Sequence, residues 1–524
     1  MALMLAVGAL AVVAYLPQCT FPLLYDDVFI VARNPAVTGG TWSDCLTKPY
    51  WPEGTGWDAL YRPITIASLR LNRVLLDAGA AGYRVTNALL HAICSVLVVW
   101  VAWRIGTVHR DPHDRRGVLA AGWMAGLIFA VHPLHADAVA AVVGRSELLA
   151  GLFVLLLIGR HLGYLGSLGR TSVSYHLTTA VLFLLALGSK EHAVFALPAI
   201  AALDFWARPK SATGAGLRAA VDRLAKSHYL GLVVALALFL FARWLIFGSR
   251  TSVPVSMINP LANPLIGAST ISLLATPPAL LSLTAGLLLM PLRLCPIWGV
   301  GGFDLPQTVW RADVLVGTLL LAGWVVTVAW GFRRRRPLGL LLGWAGLFLV
   351  LPCHFIPAAN WLFAERWLYL PSAFLVIALA HLAANLPRPR VAVGAVILAA
   401  AGLFGLNWKY QQCWRGDGAL FEAVVARHPD SYHGLIGLAA AADERGGLSS
   451  IEPEINRLTA LYPDSPLSWY FRAVLMDRLN RPLEVLAAFS KYVQVRGPNL
   501  PTKQLLEVRA RARRLLADSQ PAGP

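Results

Sequence analysis

Residues 313–352 read DVLVGTLLLAGWVVTVAWGFRRRRPLGLLLGWAGLFLVLP, two apolar runs on either side of Arg333-Arg334-Arg335-Arg336. A helix crosses a bilayer with roughly 20 mostly apolar residues, about 17 to 25 being tolerated. A run of arginines between two such segments marks a turn held on the cytoplasmic side. This stretch therefore predicts a pair of membrane-crossing helices.

The pattern extends along most of the chain. Of 524 residues, 57% are apolar and only 14% charged, against about a quarter charged in an ordinary soluble domain. Further spans are predicted at 1–18, 86–103, 117–132, 138–158, 175–188, 192–206, 229–247, 366–386 and 391–408, about eleven in all. The first has no basic leader region or A-x-A site, so it reads as a retained anchor.

The formal charge of +17 would suggest nucleic acid in a soluble protein. Here seventeen basic residues fall in five inter-span stretches: Arg104, Arg110, Arg115, Arg116; Arg160, Arg170; Arg208, Lys210, Arg218, Arg223, Lys226; Arg333 to Arg336; and Arg388, Arg390. All five lie on one side of the eleven-span scheme, which makes that side cytoplasmic and excludes nucleic acid as the partner their charge implies. The N-terminus is then cytoplasmic and the C-terminus extracytoplasmic. Residues 265–290, with Pro277-Pro278 at their middle, read as a broken, re-entrant or membrane-surface helix pair within an outer loop of about 248–312.

From residue 409 hydropathy falls and a repeat begins. His428-Pro429-Asp430-Ser431 returns as Tyr462-Pro463-Asp464-Ser465, 34 residues on, with Pro498 after a similar interval. That is the tetratricopeptide period. The unit reads either as a concave peptide-binding solenoid or as a small capping helical domain. Six scattered cysteines form no metal or disulfide pattern, although a bridge between two outer ones stays open.

Chemistry-bearing residues gather in the predicted outer segments. Asp26-Asp27 opens the first outer loop, about 19–85. Adjacent carboxylates repel, which raises one pKa and suits a general base; the plainer reading is a solvated acidic helix start. The loop continues through Trp42, Trp51, Trp57 and Tyr61-Arg62-Pro63 to a stretch, Ile64–Leu76, patterned as an interfacial amphipathic helix. His132 and His135 flank Pro133, which favours hydrogen bonding or substrate contact over metal ligation. Gly144-Arg145-Ser146-Glu147 follows. Lys190-Glu191 reads as a neutralised interfacial turn or a charged site. Glu365-Arg366 reads as a snorkelling pair or a phosphate clamp.

These residues resemble the transmembrane-and-tetratricopeptide family of protein O-mannosyltransferases, within the GT-C glycosyltransferase superfamily. The matching stretches are YDDVFIVARNP at 25–35, YRPITIASLRLN at 61–72, HPLHADAVAAVVGRSELLA at 132–150, SKEHAVFALP at 189–198 and NWLFAERWLYLPS at 360–372. The resemblance implies an all-α polytopic bundle of GT-C type over 1–408 with an extracytoplasmic repeat domain over 409–524. It implies a sugar transferred from a polyprenyl-phosphate donor to a hydroxyl acceptor, protein Ser/Thr or a glycan, at the outer face. Asp26 or Asp27 would be the base, Asp26 first. Arg62, His132, His135, Arg145, Lys190, Glu191, Glu365 and Arg366 become candidates for donor phosphate or substrate. Because such donors carry a monophosphate, no metal or other cofactor is expected. Relatives with more repeats leave acceptor choice open. The Ala- and Arg-rich composition, and a C-terminus without a retrieval signal, point to a bacterial inner membrane and an undecaprenyl carrier, with the sugar undetermined. The competing classes are a transporter or flippase of lipid-linked sugars and a non-catalytic scaffold presenting the repeats. A transporter should show an internal hydropathy repeat and mid-span carboxylates.

Overall fold

A computed structural model describes residues 1–52, 60–76, 79–108, 115–166, 173–207, 229–248, 260–356, 361–496 and 502–518. Trp57, Arg110, Arg170, Arg208, Lys210, Arg218, Arg223, Lys226, Asn360 and Pro498 lie outside them. The regular elements among the described residues are helices, with no β-strand. A chain so apolar must satisfy its backbone within each segment, and a helix does so without neighbours.

Seven described helices are long and apolar enough to cross a membrane: Ala80–Val108, Val142–Leu165, Tyr229–Phe247, Thr270–Leu289, Ala312–Arg333, Glu365–Ala384 and Pro389–Arg415, the last of these including a short 3₁₀ turn. An eighth would combine Arg116–Val131 with Pro133–Ala140, which are bent by 52°. Ala2–Ala14, Val173–Ser189 and Pro337–Leu349 are shorter apolar helices. Ala196–Ala207 occupies the remaining predicted span.

The prediction for 265–290 is corrected. Thr270–Leu289 is one continuous helix through Pro277 and Pro278. Ser269 caps it by accepting from the Ser272 N–H at 3.1 Å, and the Thr276 hydroxyl donates to the Ser272 carbonyl at 2.7 Å, just ahead of the prolines. Membrane helices tolerate proline where neighbouring groups re-satisfy the backbone. The helix packs against Ala312–Arg333, where Gly317 meets the Pro278 carbonyl so closely that a Cβ there would overlap it. Gly317→Ala is therefore expected to destabilise the protein by about 1–3 kcal/mol, an overpacking cost. Thermal unfolding in detergent checks this, and an unchanged melting temperature would contradict the contact.

The chain divides into two compact units. The first comprises residues 1–258, 265–294 and 305–415; the second comprises 259–264, 295–304 and 416–524. Two pieces of the stretch 248–312 belong to the second unit. In the first unit the 333–336 turn meets the end of Ala196–Ala207. The Arg335 guanidinium donates to the Phe205 and Trp206 carbonyls, and the Trp206 indole donates to the Arg336 carbonyl at 3.2 Å.

The second unit is built from helices Asp417–Arg427, Tyr432–Glu444, Glu452–Leu461, Pro466–Arg478, Pro482–Arg496 and Lys503–Asp518. The two Pro-Asp-Ser junctions each precede the first helix of a hairpin. Ser431 caps one by accepting from the Gly434 N–H, while Ser465 at the next junction lies 2.8 Å from the Tyr432 hydroxyl. The 295–304 segment joins this core through the Val300 carbonyl, which accepts from Tyr432 N–H at 3.1 Å. Gly301, at φ +77°, lies against the Asp430 backbone where no side chain would fit.

Candidate functional site

The two adjacent aspartates part company in the structure. Tyr25 adopts φ +49°, a left-handed conformation uncommon for a bulky residue and concentrated at functional sites. Beyond it Asp27 turns inward and is only 1% exposed. Its Oδ1 accepts from the Val143 N–H at 2.9 Å, and its Oδ2 lies 3.7 Å from the buried Arg84 guanidinium. Arg84 also donates to the Phe21 carbonyl at 3.1 Å and to the carbonyls of Pro22 and Ala140. Burial pushes the Asp27 carboxyl up, with Arg84 and backbone N–H groups pulling against it. Asp27 is therefore a post that pins the segment after the first helix to the bundle.

Asp26 remains accessible. Its side chain is 21% exposed and lies 3.9 Å from the Arg366 guanidinium. Burial pushes its carboxyl up to about 6; Arg366 lowers it, while Asp27 and Asp137 add to the rise. Arg366 is itself held by Asp137, which accepts from its backbone N–H at 3.0 Å and its guanidinium at 3.3 Å. A guanidinium oriented by one carboxylate still has N–H donors to offer elsewhere. Glu365, next to it, is buried and accepts from the Tyr410 hydroxyl at 2.8 Å.

A second charged group comes from the 189–192 turn. Arg62 binds Glu191 through two nitrogens at 3.0 and 3.1 Å and lies over the Tyr50 ring at 4.9 Å. Burial raises the Glu191 carboxyl, but Arg62, a backbone N–H and Lys190 together hold it below its ordinary value. Lys190 is ion-paired with buried Glu147, and His192 lies 3.7 Å from the same carboxylate. Burial pulls the Lys190 ammonium down, Glu147 opposes this, and the charges of Arg62 and Arg366 lower it further. Arg62, Lys190 and Arg366 thus influence one another electrostatically, and each is paired with a carboxylate, Glu191, Glu147 and Asp137 respectively, with Asp26 a second acid beside Arg366.

Other predicted residues take different places. Arg145 is fully buried, donating to Asn87 at 2.8 Å, the Ser68 carbonyl at 3.2 Å, the Tyr83 carbonyl at 2.8 Å and the Asn72 side chain. Those bonds occupy most of its five donors, which puts it among the packing groups. His132 Nδ1 accepts from the Leu134 N–H at 3.2 Å, so the proton sits on Nε2, 3.0 Å from the Leu288 carbonyl. His135 lies between the Phe129 carbonyl at 2.9 Å and Ser372 at 2.8 Å. Both histidines join elements of the bundle. Among the described residues no three His, Cys, Asp or Glu side chains are grouped to hold a metal ion.

Asp137 and Glu147 were not among the predicted site residues, although both stand in the quoted segments. A signal was available: Asp137 borders the predicted span 138–158 and Glu147 lies within it, where a charge is costly without a partner. Arg84, two residues before the predicted span 86–103, carried the same signal.

No protein-family model matches the chain. Curated relatives include protein O-mannosyl-transferase TMTC4 of Mus musculus, 28% identical over 477 residues, covering 81% of this chain and 62% of its own. TMTC4 of Homo sapiens is 28% identical over 472 residues with the same shares. Tmtc1 of Drosophila melanogaster is 26% identical over 527 residues, covering 84% and 59%. The chain thus spans less than two thirds of the length of these relatives. Among solved structures, an oligosaccharyltransferase of Archaeoglobus fulgidus in the apo form aligns at TM-score 0.38 and 13% identity, covering 83% of this chain and 57% of its own. AglB of the same organism, in complex with an inhibitory peptide and a dolichol-phosphate, aligns at 0.38 and 14%, covering 94% and 68%. Both superpose only loosely. By sequence, over about four fifths of its length, the chain is similar to protein O-mannosyl-transferases named TMTC.

Proposed function

We propose that the protein is a membrane glycosyltransferase of GT-C type that moves a sugar from a polyprenyl-phosphate donor to a hydroxyl acceptor, with Asp26 as general base. The names of the sequence relatives point to mannose as the sugar and protein hydroxyls as the acceptor. The observation that carries the reading is the juxtaposition of Asp26 with Arg366 at 3.9 Å. In the transfer the acceptor oxygen attacks the anomeric carbon and its proton passes to Asp26. The bond from that carbon to the phosphate oxygen breaks, and polyprenyl phosphate leaves with the electron pair. The anomeric centre inverts. Arg366, Lys190 and Arg62 would offset the charge gathering on the phosphate, a role fixed cations fill in a site of low dielectric. No metal or other cofactor enters this step.

The active face would be extracytoplasmic, opposite the side assigned to the arginine turns, in a bacterial inner membrane with the N-terminus inside. The helix hairpins of residues 416–518 would act as tetratricopeptide-like repeats that engage the acceptor.

The pH dependence tests the assignment. Asp26 must be ionised to accept a proton, so kcat/KM is expected to rise with pH through about 6. Lys190 must be charged to hold phosphate, so the rate should fall at a pH below the ordinary lysine value. Initial rates of the purified protein with a short-chain polyprenyl-phosphate mannose and a Ser/Thr-containing acceptor measure both limbs. A profile flat through the acid limb would remove Asp26 as the base.

A further inference from the structure

At the end of the first unit remote from Asp26 lies a cavity of about 330 Å³ between the helices Ala80–Val108, Arg145–Gly166 and Val173–Ser189. Its distance from the site follows from one helix. Arg84 contacts Asp27, and Arg104 stands twenty residues further along the same helix, about 30 Å away. The cavity wall includes Trp100, Gly159, Gly163 and Leu182, with Arg104 and Arg160 as its charged residues. A Cβ at Gly159 would overlap the Trp100 ring, and one at Gly163 would come within 3.3 Å of the Arg104 guanidinium. The two glycines thus give the ring and the cation room to lie against the neighbouring helix.

Both arginines are held by aromatic rings. Arg104 lies over Trp100 at 5.6 Å and over Trp103 at 5.7 Å, and Arg160 lies over Tyr175 at 4.8 Å. Among the described residues neither guanidinium has a hydrogen bond or a carboxylate partner, and the Arg104 Nε is buried and unsatisfied. Two oriented guanidinium groups beside an otherwise apolar cavity ask for a ligand with an anionic head and a hydrocarbon tail.

We propose that this cavity binds an anionic glycerophospholipid, its phosphate received by Arg104 and Arg160 and an acyl chain seated against Trp100 and Leu182. The site is separate from the sugar-transfer site. In the sequence these arginines read only as markers of orientation.

Native mass spectrometry of the full chain in detergent tests this with phosphatidylglycerol, phosphatidylethanolamine and glycerol phosphate as probes. The wild type is expected to retain phosphatidylglycerol roughly tenfold better than phosphatidylethanolamine, on the order of one charge-assisted contact. Arg104→Gln with Arg160→Gln should abolish that preference. Leu182→Trp should weaken retention of both lipids with the arginines intact. Equal retention of the two lipids by the wild type would overturn the proposal whether or not any variant folds. Displacement by glycerol phosphate at matching concentration would overturn it too, because the site would then bind a soluble phosphate. Retention unchanged in Leu182→Trp would contradict the acyl-chain seat.

Discussion

Replacing Asp26 with asparagine is expected to cut sugar transfer by roughly 10²- to 10⁴-fold, the usual contribution of a general base, and to leave the fold intact. Asparagine keeps the shape of the side chain but cannot take the acceptor proton. Its neighbour loses little, since Arg366 keeps its contacts with Asp137 at 3.0 and 3.3 Å. The side chain is also partly open to solvent, so no buried charge is stranded. Initial rates and a thermal melt on the same preparation separate chemistry from folding. A variant with near-normal rates would end the assignment of Asp26.

Asp27→Ala is expected to have the opposite signature, a loss of about 3–5 kcal/mol of stability. The Arg84 guanidinium would be left buried without its counter-charge, and the Val143 N–H would lose its acceptor. Breaking a buried pair from one side costs far more than the pair contributes, because the remaining charge stays desolvated. Unfolding of the purified protein in detergent measures this, and activity should fall only as folded protein is lost. A variant as stable as the wild type but inactive would reverse the roles of the two aspartates.

That contrast shows where sequence reading stops. Apolar length and the arginine turns made the helical membrane architecture legible, because span length and charge placement are set by the bilayer itself. The all-helical expectation holds among the described residues. The adjacent carboxylates marked a place but could not be told apart, since their separation depends on Tyr25 at φ +49° and on which oxygen meets the Val143 N–H. The resemblance made Arg145 a candidate for the donor phosphate. The structure spends the Arg145 charge on the Asn72 and Asn87 side chains and on backbone carbonyls. Proline predicted a break at residue 277, whereas the helix runs on through both prolines, with Gly317 of its neighbour packed against Pro278. Such outcomes depend on tertiary contacts that a single local pattern does not encode.

The central claim is transfer of the sugar itself. Its most direct measurement incubates the purified full chain, reconstituted in liposomes, with polyprenyl-phosphate mannose and a Ser/Thr-containing acceptor, and follows both products by mass spectrometry. Glycosylated acceptor and free polyprenyl phosphate are expected in equal amounts, with both lost in Asp26→Asn. Lipid-linked sugar that crosses the bilayer intact, with no glycosylated acceptor, would contradict it and identify a transporter.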